Sequence, residues 1–164
     1  MERRLIVLRH AKSSWETEAA TDHDRPLNKR GKRDAQRIGK RLAKLGWVPE
    51  LVFSSDSART RETWERMKEA FDGTVEATFT RDMYHAGIGA VRSVLVGVPD
   101  TVKTVMAIGH NPGWESVVEQ LTGDEVTLTT CNAALLVAEA DNWSDAAAMD
   151  SSWKLQALLR PKEL

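Results

Sequence analysis

Short apolar runs alternate with amphipathic segments up to residue 121, and this alternation restricts the possible folds more than any other feature of the chain. Residues 5–8 and 51–53 are apolar without interruption, and residues 102–108 form the strongest candidate for a central strand. Short apolar runs of this kind are typical of strands buried on both faces. We therefore predict an α/β fold, a three-layer α/β/α sandwich with a mostly parallel central sheet.

The segments between these strands carry helical periodicity. In residues 28–45 the apolar side chains recur at spacings of three and four, and Gly46 supplies a stop. The other predicted elements are a helix carrying Thr60, Trp64, Met67 and Phe71, a strand at 75–80, helices at 88–98 and 112–121, and late strands at 134–138 and 153–159. The late strands are expected to add an antiparallel edge, with no clear helix between them.

Composition excludes several classes of protein. The 164 residues fit a single domain spanning residues 1–164. A net charge of -1 gives no general attraction to nucleic acid or to a membrane surface. The single cysteine, Cys131, excludes an internal disulfide and a cysteine-based metal site. We expect a cytoplasmic monomer with no metal, cofactor, nucleic-acid or membrane partner, although a transit peptide removed from the chain would change the expected compartment.

Three groups of polar residues follow predicted strands. Arg9 and His10 follow the first strand, Arg59 lies in the first turn of the helix after the second, and His110 follows the strand ending at residue 108. In open parallel sheets, ligands bind beyond the carboxyl ends of the strands. These residues are therefore expected to meet at one edge of the sheet.

The residue types at this edge suit phosphate chemistry. Arginine can bind two phosphate oxygens through its planar fork, and a helix N-terminus such as that near Arg59 attracts anions. A neutral imidazole is a competent nucleophile, and neighbouring arginines lower its pKa, so His10 is predicted to be neutral. His110 could donate a hydrogen bond to a phosphoryl oxygen and stabilise developing charge.

The motifs resemble those of the histidine phosphatase superfamily, in its phosphoglycerate-mutase-like branch. They are Leu-Arg-His-Ala-Lys at 8–12, Ser-Ser-Asp-Ser-Ala-Arg-Thr-Arg-Glu-Thr at 54–63 and Gly-His-Asn-Pro at 109–112. The short length and Asp-Arg-Pro-Leu at 24–27 are most similar to the SixA group of phosphohistidine phosphatases. Ala11 stands where the family usually has glycine, and Asp56, expected to cap the next helix, stands where it often has proline.

This resemblance implies a phosphoglycerate-mutase-like fold and a metal-independent phosphatase without a cofactor. His10 would take the phosphoryl group and water would then release it. Arg9, Arg59 and His110 would hold the phosphoryl oxygens, and Arg25 would be an additional pocket arginine.

The sequence identifies the general acid less clearly than the nucleophile. The wider family uses a carboxylic acid, and Asp82 is the one carboxylate in the matching region, residues 81–87. A surface aspartate at a strand end is the competing interpretation. A phosphohistidine leaves as imidazole, whose conjugate acid has a pKa near ~6.5, so the enzyme must supply less acid help than for an alkoxide. This favours phosphohistidine on a protein as the substrate.

Two alternatives remain open at this point. The chain could be a phosphatase of a small phosphoester with Asp82 as its acid, or a non-catalytic phosphate-binding adaptor. An adaptor would dock an acidic partner through the basic residues of the helix at 28–45, for which a solvated helix face is the simpler interpretation. The run Asp22-His23-Asp24 is interpreted as a loop cap or surface cluster rather than a metal site.

Overall fold

The structure is a computed structural model that describes residues 1–15, 18–19 and 21–164. Its strands are β1 (Glu2–Arg9), β2 (Leu51–Ser55), β3 (Glu76–Thr80), β4 (Thr104–Gly109), β5 (Ala133–Glu139) and β6 (Lys154–Leu159). Its α-helices are α1 (Lys29–Lys44), α2 (Ala58–Met67), α3 (Ile88–Val96), α4 (Gly113–Thr122) and α5 (Trp143–Ala146). Among the described residues, no helix is both long and apolar enough to cross a membrane.

The six strands form one mixed sheet in the order β3-β2-β4-β1-β5-β6. The first four in this order are mutually parallel, whereas β5 runs antiparallel to β1 and β6 antiparallel to β5. The predicted α/β fold, with a mostly parallel sheet and an antiparallel edge, is therefore confirmed.

Successive residues of β1 pack into two different hydrophobic cores, one on each face of the sheet. Ile6 and Leu8 pack under α1 and α2, while Leu5 and Val7 pack under α3, α4 and α5. All four side chains are fully buried. Helices thus cover both faces of the sheet, which explains why the strand reads as a continuous apolar run rather than an alternating one.

β1 begins at Glu2, earlier than its apolar run predicts, because Glu2 and Arg3 already pair with β5. The Arg3 side chain is buried. The Arg3 guanidinium donates to four backbone carbonyls, at 2.6 Å to Asp100, 2.9 Å to Val102, 3.2 Å to Ala140 and 2.6 Å to Asp141. Full pairing of this kind is what allows a charged side chain to be buried. The contacts tie the start of β1 to the segments before β4 and after β5.

The prediction that no helix separates the late strands was wrong. The single turn of α5 is capped by the Asn142 side chain, which accepts a hydrogen bond from Asp145 N at 2.7 Å. Trp143 is fully buried and donates its indole N–H to Val102 O. A four-residue helix is too short to show a helical period in the sequence, so its cap was the available signal.

The first turn of α1 packs directly on the loop that follows His10. Asn28 caps the helix by accepting from Gly31 N at 2.8 Å, and Asn28 N donates to Lys12 O at 3.0 Å. A Cβ atom on Gly31 would lie 2.1 Å from Lys12 O, closer than any real contact. Glycine is therefore required at this position for α1 to approach the loop.

We expect Gly31→Ala to lower the free energy of unfolding by roughly 1–3 kcal/mol, the cost of forcing extra atoms into a packed contact. This loss should occur although alanine favours a helix over glycine by about 1 kcal/mol. Urea unfolding measures it. Gly89→Ala in α3 is the matched control, because a Cβ there meets nothing within 4 Å and should stabilise the protein. Equal effects of the two substitutions would contradict the contact.

Candidate active site

The parallel register of β1 and β4 brings two histidines together. Arg9 pairs with Gly109, so His10 and His110 leave adjacent strands at the same level, and His10 N donates to Gly109 O at 3.1 Å. Their ring centroids lie 5.2 Å apart. Both side chains are buried, which places the rings at the floor of the site.

A cavity of about 310 Å³ lies over these rings. The structure brings five of the predicted site residues to its lining: Arg9, His10, Arg25, Arg59 and His110. Asp82 is exposed and is not among the described residues that line the cavity; its backbone N–H donates to Thr80 Oγ1. The structure therefore does not support Asp82 as a group that reaches the reacting atoms.

Arg59 enters the cavity from the first turn of α2. Ser57, not Asp56, caps this helix, since its side chain accepts from Thr60 N. Asp56 instead contacts His23 Nε2 at 2.6 Å, so the expected role of Asp56 as a cap was wrong. Arg59 is only 2% exposed, which makes its guanidinium a preformed, desolvated anion-binding group.

Asp22 is the site residue that the sequence interpretation missed. Its Oδ2 accepts from Arg59 Nη2 at 3.0 Å and from the Tyr84 hydroxyl, and its Oδ1 accepts from Arg25 Nε at 3.0 Å. The carboxylate thus joins two arginines at the cavity wall. The spacing of Asp22 and Arg25 was an available signal, because side chains three residues apart on a helical turn can pair.

These donors keep Asp22 ionised. Partial burial alone would raise the pKa of the Asp22 carboxyl, but the hydrogen bonds from Tyr84 and Arg59 and the charge of Arg59 hold that pKa well below its usual range. The proton shared with Tyr84 stays on the phenol, because burial and the neighbouring Asp22 raise the pKa of Tyr84.

Arg25 and Trp15 form part of the cavity rim. The Arg25 guanidinium lies 3.5 Å from the Trp15 ring centroid and donates to Ser13 Oγ at 2.9 Å. Trp15 is 74% exposed, so its ring shields one face of the guanidinium while facing solvent. Trp114 is fully buried beneath Gly109 and is not among the described residues that line the cavity.

His10 has the protonation state of a nucleophile. Burial lowers the pKa of its imidazole to about 3, and the positive charges of Arg59, Arg9 and Arg25 act in the same direction. His10 Nδ1 lies 2.7 Å from Ala11 O, and a carbonyl can only accept, so this contact assigns the proton to Nδ1. Nε2 of the neutral ring therefore carries the free lone pair.

His110 is neutral for similar reasons. Burial is the main cause that lowers the pKa of the His110 imidazole, and the neighbouring His10 and Arg59 lower it further. Its Nε2 contacts Ser55 Oγ at 2.9 Å, while Nδ1 is buried with no hydrogen-bond partner within the described part of the chain. One ring nitrogen thus remains uncommitted beside the cavity.

Comparison with known proteins agrees with this geometry. Residues 5–89 match the model of the histidine phosphatase superfamily (branch 1). The chain belongs to this superfamily. A chloroplastic protein of Arabidopsis thaliana, itself uncharacterised, is 42% identical over 173 residues that cover 98% of this chain and 79% of the relative. The predicted cytoplasmic location thus stays a prediction.

Two solved structures place this histidine phosphatase near the SixA group. A protein of Agrobacterium tumefaciens assigned as phosphohistidine phosphatase SixA is 29% identical, with a TM-score of 0.81 and coverage of 97% of this chain and 98% of that one. A SixA-assigned protein of Nakamurella multipartitia is 26% identical, with a TM-score of 0.83 and coverage of 98% and 97%. The resemblance drawn from the sequence motifs is confirmed.

We expect His10 to stay neutral in the folded protein from pH 8 down to about pH 4 and to gain a proton only as the pH falls through about 3. In the urea-unfolded chain it should titrate near ~6.5. Because the unfolded state binds the extra proton between these values, this group lowers stability as the pH falls from ~6.5. Side-chain ¹⁵N NMR measures both titrations, and a folded-state pKa near that of the unfolded chain would contradict the buried, arginine-flanked ring.

Proposed function

We propose that this histidine phosphatase is a metal-independent enzyme that transfers a phosphoryl group to His10 and then to water, with phosphohistidine on a protein as its substrate. The observation that carries the proposal is the neutral His10 ring, whose Nε2 lone pair is free in a cavity lined by Arg9, Arg25 and Arg59. A nucleophile that is neutral at physiological pH needs no base to activate it.

The first step exchanges one bond to phosphorus for another. His10 Nε2 forms an N–P bond while the bond from phosphorus to the leaving group breaks, and water later attacks the phosphorylated ring to release phosphate. Three guanidinium groups and one carboxylate line the described cavity, so its field attracts a phosphoryl dianion. Preformed donors around the transferred group stabilise the charge spread over its oxygens.

Asp22 has a positioning role in this scheme. It contacts Arg59 and Arg25 at the same time, which fixes both guanidinium groups relative to the His10 ring. Two closely spaced arginines repel each other, and the shared carboxylate offsets that repulsion. Since Asp22 is ionised, it cannot protonate a leaving group.

The described residues that line the cavity include no protonated carboxylic acid of the kind that an alkoxide leaving group would require, and this favours phosphohistidine as the substrate. Asp22 is the one carboxylate among the described residues that line the cavity, and Asp82 lies elsewhere. An imidazole leaving group, with a conjugate-acid pKa near ~6.5, needs much less acid help than an alkoxide. The similarity to proteins assigned as phosphohistidine phosphatases points to the same substrate.

The open side of the cavity also suits a protein substrate. Trp15 is 74% exposed, and the side chains of Asp22 and His85 are 44% and 50% exposed. These groups form a wide polar mouth above a buried floor. A side chain presented on a protein surface can therefore reach His10 without passing through a closed channel.

We expect phosphate release from a histidine-phosphorylated protein to persist in EDTA and to fall at least ~10³-fold in His10→Ala. Asp82→Asn is the matched control, and as an exposed substitution away from the cavity it should change activity by no more than about twofold. Mass spectrometry at neutral pH should detect a phosphoryl group on His10 during turnover by the wild type.

The activity measurements distinguish the proposed function from a small-phosphoester phosphatase and from a phosphate-binding adaptor. A preference for sugar or aryl phosphates over the phosphoprotein would replace the proposed substrate with a small phosphoester while keeping the mechanism. Folded protein that binds inorganic phosphate but turns over none of these compounds would overturn the enzyme proposal and leave a phosphate-binding adaptor.

A further inference from the structure

A third histidine lines the cavity, and the proposed mechanism assigns it no role. His85 belongs to the same lining as His10 and His110, and its ring centroid lies 4.8 Å from that of His110. Unlike those two buried rings, the His85 side chain is 50% exposed. It therefore stands at the mouth of the cavity, above the floor that holds the nucleophile.

The backbone around His85 is held in an uncommon conformation. Its φ of 51° lies in the left-handed region, which non-glycine residues rarely adopt without compensation from the surrounding structure. The same turn packs against the start of α4, since a Cβ on Gly113 would lie 1.8 Å from Ala86 O. This close contact fixes the turn that carries the His85 ring over the cavity.

Asp22 lies next to the His85 ring. Its Oδ2 lies 3.4 Å from His85 Nε2, and the Tyr84 ring, whose hydroxyl donates to the same carboxylate, lies 4.2 Å from the His85 ring centroid. A carboxylate oxygen can only accept, so this contact orients a ring N–H of His85 toward Asp22. The second ring nitrogen is then available to a substrate.

The direction of the reaction makes this position important. In phosphoryl transfer the attacking and leaving atoms lie roughly in line on opposite sides of phosphorus. Attack by His10 from the floor therefore sends the leaving group toward the mouth, where His85 stands. Lys12 and Asp22 also line the cavity, but an ammonium is a weaker acid than an imidazolium and the carboxylate is already ionised.

We propose that His85 is the general acid of the reaction, an inference that rests on the proposed function. As the His10 Nε2–P bond forms, the bond to the leaving group breaks with its electron pair, and the His85 imidazolium gives that atom a proton. In the second half, a water oxygen forms a bond to phosphorus while the His10 Nε2–P bond breaks and returns its electron pair to Nε2, and neutral His85 takes the proton from that water. The imidazolium is restored and phosphate leaves.

The proposal defines a pH dependence for basic leaving groups. Among the described residues, the titratable and charged groups that face His85 or its Tyr84 neighbour are Asp22, His23, Tyr84, His110, Arg59 and Arg81. A general acid acts only in its protonated form, so the rate with a basic leaving group should fall as the pH rises.

The test compares two leaving groups in His85→Gln. Phenyl phosphate releases a phenolate with a pKa near ~10, whereas the nitro group makes 4-nitrophenolate a weaker base. We expect kcat/KM for phenyl phosphate to fall about 100-fold and that for 4-nitrophenyl phosphate to fall much less. The alkaline fall of the phenyl phosphate profile should also disappear in the variant. Asp82→Asn should leave both substrates unaffected.

Equal losses on the two substrates would overturn the proposal, since a ring that only shapes the cavity does not distinguish leaving groups. An unchanged rate with phenyl phosphate, or a wild type that hydrolyses only the nitro compound, would overturn it as well. Trapping of phosphorylated His10 from 4-nitrophenyl phosphate in His85→Gln reports on the nucleophile separately. A wild type that forms no such intermediate would show that the proposed function itself fails.

Discussion

The parallel pairing of β1 with β4 is the constraint on which the site depends. It places Arg9 beside Gly109, and the residues that follow, His10 and His110, emerge at one level of the sheet. β2 pairs on the other side of β4, so α2 begins at the same edge and brings Arg59 toward both rings. A shift of one residue in either register would turn the functional side chains toward the opposite face. Packing of two cores against β1 protects this register.

Burial and charge act against each other in the cavity. Desolvation makes His10 a neutral nucleophile, yet the same desolvation would penalise the nearby guanidinium group of Arg59 without a counter-ion. Asp22 supplies that counter-ion from the short 3-10 helix Asp22–Asp24, while its other contacts lead outward to Tyr84 and His85. One carboxylate thus links the phosphate-binding floor to the mouth, and floor and mouth are expected to respond together when substrate enters.

The sequence predicted the framework of the site because strand ends follow general rules. Arg9, His10, Arg59 and His110 each follow an apolar run or a helix start, so their meeting place could be inferred without coordinates. Contacts between distant loops carry no such periodic signal. Asp22 contacts Arg59 and His85 across 37 and 63 residues, and Arg3 finds its carbonyl partners 97 to 138 residues away. The helix of four residues was missed because a single turn does not repeat the helical period.

The position of Trp15 makes the cavity visible to spectroscopy. Five of the six tryptophans are at most 3% exposed, whereas Trp15 stands in solvent against Arg25. A collisional quencher such as acrylamide will therefore meet this indole far more often than the others. Any ligand that moves Arg25 or covers the rim alters the quenchable fraction of the emission. The chain consequently contains its own optical reporter at the entrance to the active site, with no added label.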